Sequence, residues 1–154
     1  MTLPAESPTE VARVTIPTRL FGPLSVPVDS WITFPDGLLG FGGERRFVLL
    51  PAAPAGLYWM QDIQHSALAF LVADPVLFFP EYAPLLPPRD DDAPREAVGI
   101  VTLGERDDDS CTMNLQAPVL IDFTARLGEQ VIAEGATYHT RHPVDLRAFL
   151  ASMK

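Results

Sequence analysis

The residues with the strongest chemistry in this chain are few and scattered. There are three histidines, His65, His139 and His142, and a single cysteine, Cys111. His139 and His142 are three apart. On a strand that spacing sends them to opposite faces, so they would not close on one ion, and a catalytic zinc usually needs three convergent protein ligands. No Cys or Glu cluster lies beside them. A small β-barrel metal-binding hydrolase, using His139, His142 and a carboxylate, is the alternative these residues leave open. Cys111 has no nucleophile motif around it and reads as a buried thiol; as the one cysteine it excludes an internal disulfide. Neither a Gly-x-Ser-x-Gly elbow nor a glycine-rich phosphate loop is present. The expectation is a protein without catalysis, cofactor or metal.

Contact chemistry is better represented. Aspartate triplets stand at 90–92 and 107–109. They lack the alternating ligands, glycine and distal Glu of a calcium loop, and read as solvated charge or as a surface complementary to a basic partner. Asp74 follows an apolar run and precedes Pro75, where a carboxylate caps a turn. Phe78, Phe79 and Tyr82 crowd around Pro80, an irregular setting in which part of an aromatic cluster can reach the surface and anchor a partner. Trp31 and Trp59 lie in strand patterns and read as core.

The elements that must hold these residues are short. The chain has 154 residues, of which 47% are hydrophobic and 20% charged, the profile of one globular domain. Its 16 prolines are spread along the sequence. Each removes a backbone donor and breaks a helix, which excludes a bundle of long helices. Strand-like stretches occur near 10–16, 18–21, 24–28, 30–34, 46–50, 57–61, 67–73, 97–103, 112–117, 119–126, 130–133 and 136–141, with turns between them. The run 67–73 is nearly all apolar, as in a strand covered on both faces. Gly128 is expected in the left-handed position of a hairpin turn. After Pro143 the spacing of Val144, Leu146, Phe149, Leu150 and Met153 is helical. The expected architecture is an all-β, antiparallel, barrel-like single domain over 10–143. A flexible arm at 1–9 precedes it, and a C-terminal helix over 144–154 and at most one other short helix complete it.

Eleven basic residues against 20 acidic ones give a net charge of −9. Nucleic acid is a poor partner for such a surface, since affinity there comes from neutralising phosphates with Lys and Arg; an anionic membrane is disfavoured for the same reason. Residues 1–10 lack the charged and apolar regions of a signal peptide. No apolar run approaches the ~18 residues of a membrane span. A cytoplasmic location is expected.

Four groups of residues, in order, then resemble one family. The first runs from Ile32-Thr33-Phe34-Pro35-Asp36-Gly37 to Leu38-Leu39-Gly40-Phe41. The second is Leu68-Ala69-Phe70-Leu71-Val72, Asp74-Pro75 and Phe78-Phe79-Pro80-Glu81-Tyr82. The third is Asn114-Leu115, Ala117-Pro118-Val119, Arg126, Gly128, Gln130 and Val131. Tyr138, Thr140, Arg141, His142 and Pro143 close the set. Together they resemble the flagellar assembly factor FliW family, from about residue 11 to 143.

The resemblance implies a cytoplasmic, non-enzymatic protein with a small antiparallel β-barrel-like fold; a monomer is expected when the chain is free. It would bind flagellin and the translational regulator CsrA in competition, relieving repression of flagellin mRNA. On that reading Asp74, Phe78, Phe79, Tyr82, Asp107, Asp108 and Asp109 are the expected partner contacts. Asn114, Arg141 and His142 are expected to hold the fold through buried hydrogen bonds. Three departures from the family pattern stand out, one of them the helix-like extension over 144–154 beyond the usual end. Asp122 replaces a frequent Asn, and the segment between Tyr82 and Val98 is short and rich in proline.

Overall fold

A computed structural model describes residues 12–52, 56–103 and 111–145. Thirteen strands form among them: β1 (Arg13–Ile16), β2 (Leu24–Pro27), β3 (Ile32–Phe34), β4 (Gly37–Leu38), β5 (Phe41–Gly42), β6 (Arg45–Ala52), β7 (Leu57–Asp62), β8 (Ala69–Ala73), β9 (Glu96–Thr102), β10 (Cys111–Met113), β11 (Val119–Asp122), β12 (Leu127–Gln130) and β13 (His142–Val144). One 3-10 turn, Pro75–Leu77, follows β8. Short strands bounded by Pro, Gly and Asp are what the proline spacing demanded.

Seven strands close into a barrel in the order β11-β12-β3-β6-β7-β8-β9, with β9 returning to pair β11. Six of the seven junctions are antiparallel and one, β12 against β3, is parallel. An odd ring cannot alternate direction throughout, so at least one parallel junction is a topological necessity. This amends the purely antiparallel expectation. β9 serves two partners along one edge: Glu96–Val98 pair with β11, and Val101 and Thr102 with β10. β10 in turn pairs β13, so two short strands peel off the barrel. Pro143 lies on β13, at the end of the strand order, where its missing donor interrupts no further ladder.

Period-two alternation sorts the side chains. Phe34, Phe47, Met60, Val72, Val98, Val119 and Ile121 fill the interior, with Phe34 and Phe47 edge to face at 5.4 Å. Leu57, Leu71, Ala73 and Val101 face outward and are roofed by Cys111, Met113, Leu115 and Val144. β8 is thus buried on both faces, as its apolar run predicts. A third cluster joins the hairpin β1–β2, through Ile16 and Val26, to Val48 of β6. Trp59 is partly buried beside the outer cluster, and Arg46 lies over the half-buried Trp31 ring.

Several local expectations are corrected. No strand forms over 18–21, the strand expected over 119–126 ends at Asp122, and the one expected over 130–133 lies instead at Leu127–Gln130. The left-handed residue of the β11–β12 turn is Arg126 (φ 58°), not Gly128. Gly128 sits on β12 instead because a Cβ there would lie 2.7 Å from both Cε atoms of Phe34. The strand expected over 112–117 ends at Met113, since Asn114 turns the chain. No strand forms over 136–141; β13 begins at His142. Val144, expected to open a C-terminal helix, is the last residue of β13, paired with Cys111. Residues 146–154 lie outside the described residues, as do the arm at 1–9 and the triplet Asp107, Asp108 and Asp109.

Candidate functional site

The connection from β8 to β9, residues 74–95, crosses one mouth of the barrel. Its path is set by small devices. Asp74 Oδ1 accepts from the Val76 N–H at 3.1 Å and starts the 3-10 turn, in which Pro75 is pre-shaped for the first position. The Phe79 N–H donates to Pro75 O at 2.8 Å, and Tyr82 N–H to Phe79 O at 2.9 Å, which bends the aromatic stretch back onto the sheet. Further on, Glu134 N–H donates to Leu85 O at 2.7 Å. Arg89 pairs with Glu129 and approaches Asp91 at 4.0 Å. Arg95 contacts Asp91 at 3.1 Å and Glu129 at 3.7 Å. The Ala93 N–H, and after it the Arg95 guanidinium, hold the Asp91 carboxyl below its ordinary pKa.

Between this connection and the strand ends lies an open groove of about 730 Å³. Leu49, Tyr58, Val98 and Leu120 line it from the barrel; Tyr82 and Leu86 line it from the connection. Val76 and Phe123 line it as well and stand 48% and 42% exposed. The volume is within the range of ligand-binding pockets, roughly 300–1,000 Å³, and such pockets are mostly apolar with a few polar groups.

The residues singled out by sequence divide around this groove. Asp74 is exposed and lines it. Tyr82 lines it with a ring that is otherwise occupied: it meets Tyr138 edge to face at 4.7 Å, and its hydroxyl donates to Leu115 O at 2.7 Å. Burial, and then the neighbouring Tyr138, push the Tyr82 phenol up to about 12. Phe78 and Phe79 are half-buried against the outer apolar cluster rather than presented whole to solvent.

The residues expected to hold the fold also divide. Asn114 Oδ1 accepts from the N–H groups of Gln116 and Ala117 at 3.1 and 2.9 Å. His142 Nε2 accepts from the His139 N–H at 2.9 Å. The two imidazoles are stacked, centroids 3.7 Å apart, where opposite faces were expected; that expectation needed a strand through 136–141. Burial, then His139, lower the pKa of His142. Arg141 is exposed, and its backbone N–H donates to His139 Nδ1 at 3.4 Å. Among the described residues no group of three His, Cys, Asp or Glu is placed to hold a metal. The hydrolase alternative gains no support from this geometry.

Asp122 is buried, and its Oδ1 accepts from the Thr124 and Ala125 N–H groups at 3.0 and 2.9 Å. The role needs only an acceptor oxygen, which Asn supplies equally. A model of the FliW protein family matches residues 15–144, which is the whole barrel and both appended strands. The chain belongs to the FliW family. Among its relatives, the flagellar assembly factor FliW of Natranaerobius thermophilus is 35% identical over 80% of this chain and 87% of its own length. That of Moorella thermoacetica is 36% identical over 86% and 89%, and that of Heliobacterium modesticaldum 38% over 82% and 88%. A crystal structure of the flagellar assembly factor FliW superposes with a TM-score of 0.73 at 29% identity, covering 84% of this chain and 96% of the other. The closed barrel is therefore the FliW fold.

Sequence reasoning missed most of the groove in this FliW chain. Leu49, Tyr58, Leu120 and Phe123 read only as positions within strand-like stretches. One signal was available for two of the acids. Asp74 and Glu96 each lie two residues from an interior valine, Val72 and Val98, so the same alternation that fills the barrel carries them to its mouth.

Proposed function

We propose that this chain is a flagellar assembly factor that acts by binding alone. It holds flagellin, and when flagellin leaves it holds the translational regulator CsrA, which frees flagellin mRNA from repression. The observation that carries this reading is the FliW family match over 15–144. Two features support it. The net charge of −9 suits a regulator whose own RNA-binding surface must be basic, and the groove offers an apolar surface of the kind protein ligands use. A ligand shifts an equilibrium only by its differential affinity. CsrA must therefore bind this chain better in the state that does not hold RNA. The reading places the protein in the cytoplasm, where both partners are made. Among the described residues no helix is long and apolar enough to cross a membrane.

The test is co-purification of the full chain with cognate flagellin and with CsrA at several salt concentrations. Binding of each at micromolar protein in low salt, with mutual displacement, is the expected result. Failure of both to bind there would sink the reading. Replacing Asp107, Asp108 and Asp109 with asparagine is expected to slow association with CsrA more than with flagellin, because charge acts chiefly on encounter rates. Equal slowing of both would remove the steering role of that triplet.

A further inference from the structure

The groove's charges are not evenly satisfied. Its two cations are neutralised in place: Arg89 and Arg95 share Asp91 and Glu129. The two acids that line the groove are not. Asp74 and Glu96 are exposed, line the groove, and have no ion-pair partner among the described residues. Asp74 extends the inward face of β8 beyond Val72, and Glu96 extends that of β9 before Val98. β8 and β9 are neighbours, with Ala73 opposite Gly99. The two carboxylates thus share one side of the mouth, beside an apolar lining formed by Leu49, Tyr58 and the exposed Phe123. An apolar recess with a rim of uncompensated negative charge selects on two properties together. A segment without apolar side chains leaves the recess wet. An acidic segment meets like charges at the rim, which is costly at an interface.

We propose that this groove receives an apolar segment of a partner protein that carries lysine or arginine next to its apolar residues. The apolar side chains pack against Leu49, Tyr58 and Phe123, and the cation faces Asp74 and Glu96. The inference rests on the reading of the chain as a protein-binding module and assigns that module a surface and a ligand chemistry.

The experiment uses the full chain and three labelled synthetic peptides of equal length, followed by fluorescence anisotropy. One is built of leucine and lysine, one of leucine and glutamate, one of serine and lysine. Saturable binding of the leucine–lysine peptide alone is expected. Asp74→Asn with Glu96→Gln should weaken it about five- to tenfold, summing two partly exposed charge contacts. Asn keeps the oxygen that caps Val76, so folding is preserved and an unchanged Tm verifies it. Phe123→Ser should weaken binding at least about tenfold, as loss of a central aromatic anchor does. Glu44→Gln, outside the groove, should change nothing.

Equal binding of the leucine–glutamate peptide would overturn the charge assignment. Unchanged affinity in both groove variants would overturn the site. An apolar dye that fills the groove and is not displaced by the leucine–lysine peptide would show a small-molecule pocket instead. Flagellin bound equally by wild type and Phe123→Ser would remove the groove while leaving the partner reading intact. The peptide binding as expected while flagellin and CsrA both fail would remove the partner reading and leave the groove.

Discussion

The barrel interior and the outer cluster bury apolar surface in different ways. The nine buried residues of the interior are all hydrocarbon or thioether. Around them the strands satisfy one another's N–H and C=O groups, so no side chain has to. The outer cluster is roofed partly by β10 and β13 and partly by irregular chain at 78–82 and 138–141. Irregular backbone has no ladder, and its buried polar groups must be paired in some other way. The roof is accordingly built of side chains with polar ends. Tyr82 gives its hydroxyl to Leu115 O, Tyr138 takes the Ala83 N–H, and His142 takes the His139 N–H. The interior depends on shape, whereas the roof depends on particular atoms and on protonation. The candidate groove lies beside the roof, with Tyr82 common to both.

The largest effect should come from the interior. Phe34→Ala is expected to cost about 3–5 kcal/mol, as for other buried aromatic truncations, read by denaturant unfolding. A cost below that of any roof substitution would reverse the comparison. Gly128→Ala should cost about 1–3 kcal/mol by overpacking against Phe34. Combining it with Phe34→Leu should recover part of that loss; additive costs would mean that the two positions do not touch.

In the roof, Tyr82→Phe removes one hydrogen bond and leaves Leu115 O without its donor, for about 1–2 kcal/mol. The same residue gives an alkaline signature. Its phenol is raised from 10.0 to about 12, so the unfolded chain ionises first and stability falls as pH rises above 10. An ultraviolet titration should show one late tyrosine, absent in Tyr82→Phe. If all tyrosines of the wild type titrate together, the buried hydroxyl is misplaced.

The smallest effect is on the acid side. His142 is depressed below its ordinary 6.5. The unfolded chain therefore takes up this proton first, and stability is lost as pH falls from 6.5 through the lowered folded value. Protonation also removes the acceptor that His139 N–H uses. His142→Gln should flatten the Tm profile in that window; a variant with an undiminished acid slope would assign the slope to other groups. Phe34→Ala should leave both pH signatures where they are, because neither Tyr82 nor His142 belongs to the interior cluster.

The interior was partly legible in advance for a simple reason. Its residues alternate along single strands, and alternation is written in the sequence. Ile32 and Phe34, on either side of Thr33, declare their side of the sheet locally, whereas Val72 and Ile121 lie in apolar runs whose inner face is fixed only by the closed barrel. The turns were half legible. Asp and Asn at 62, 74, 114 and 122 all accept from N–H groups two or three residues on, which their type suggests. Arg126 in the left-handed region carries no such mark, and Gly128 beside it drew the assignment. The histidine stack was illegible because it depends on a bend over 136–141 that no periodicity announces. The groove was illegible because its lining comes from β6, β7, β9, β11 and the 74–95 connection. Those elements meet only once the barrel has closed.

By itself the sequence determined the class of the molecule. Its prolines limited the chain to short strands, its alternation supplied part of an apolar interior, and its ordered motifs tied it to FliW. The tertiary structure decided what local pattern cannot encode. Seven strands closing on one another forced the parallel junction of β12 with β3. That closure also set Gly128 against Phe34, while a bend over 136–141 outside the ring stacked the two histidines. Closure left Asp74 and Glu96 together at an open mouth, because the neighbours of a side chain across a barrel are fixed by ring closure and not by sequence distance.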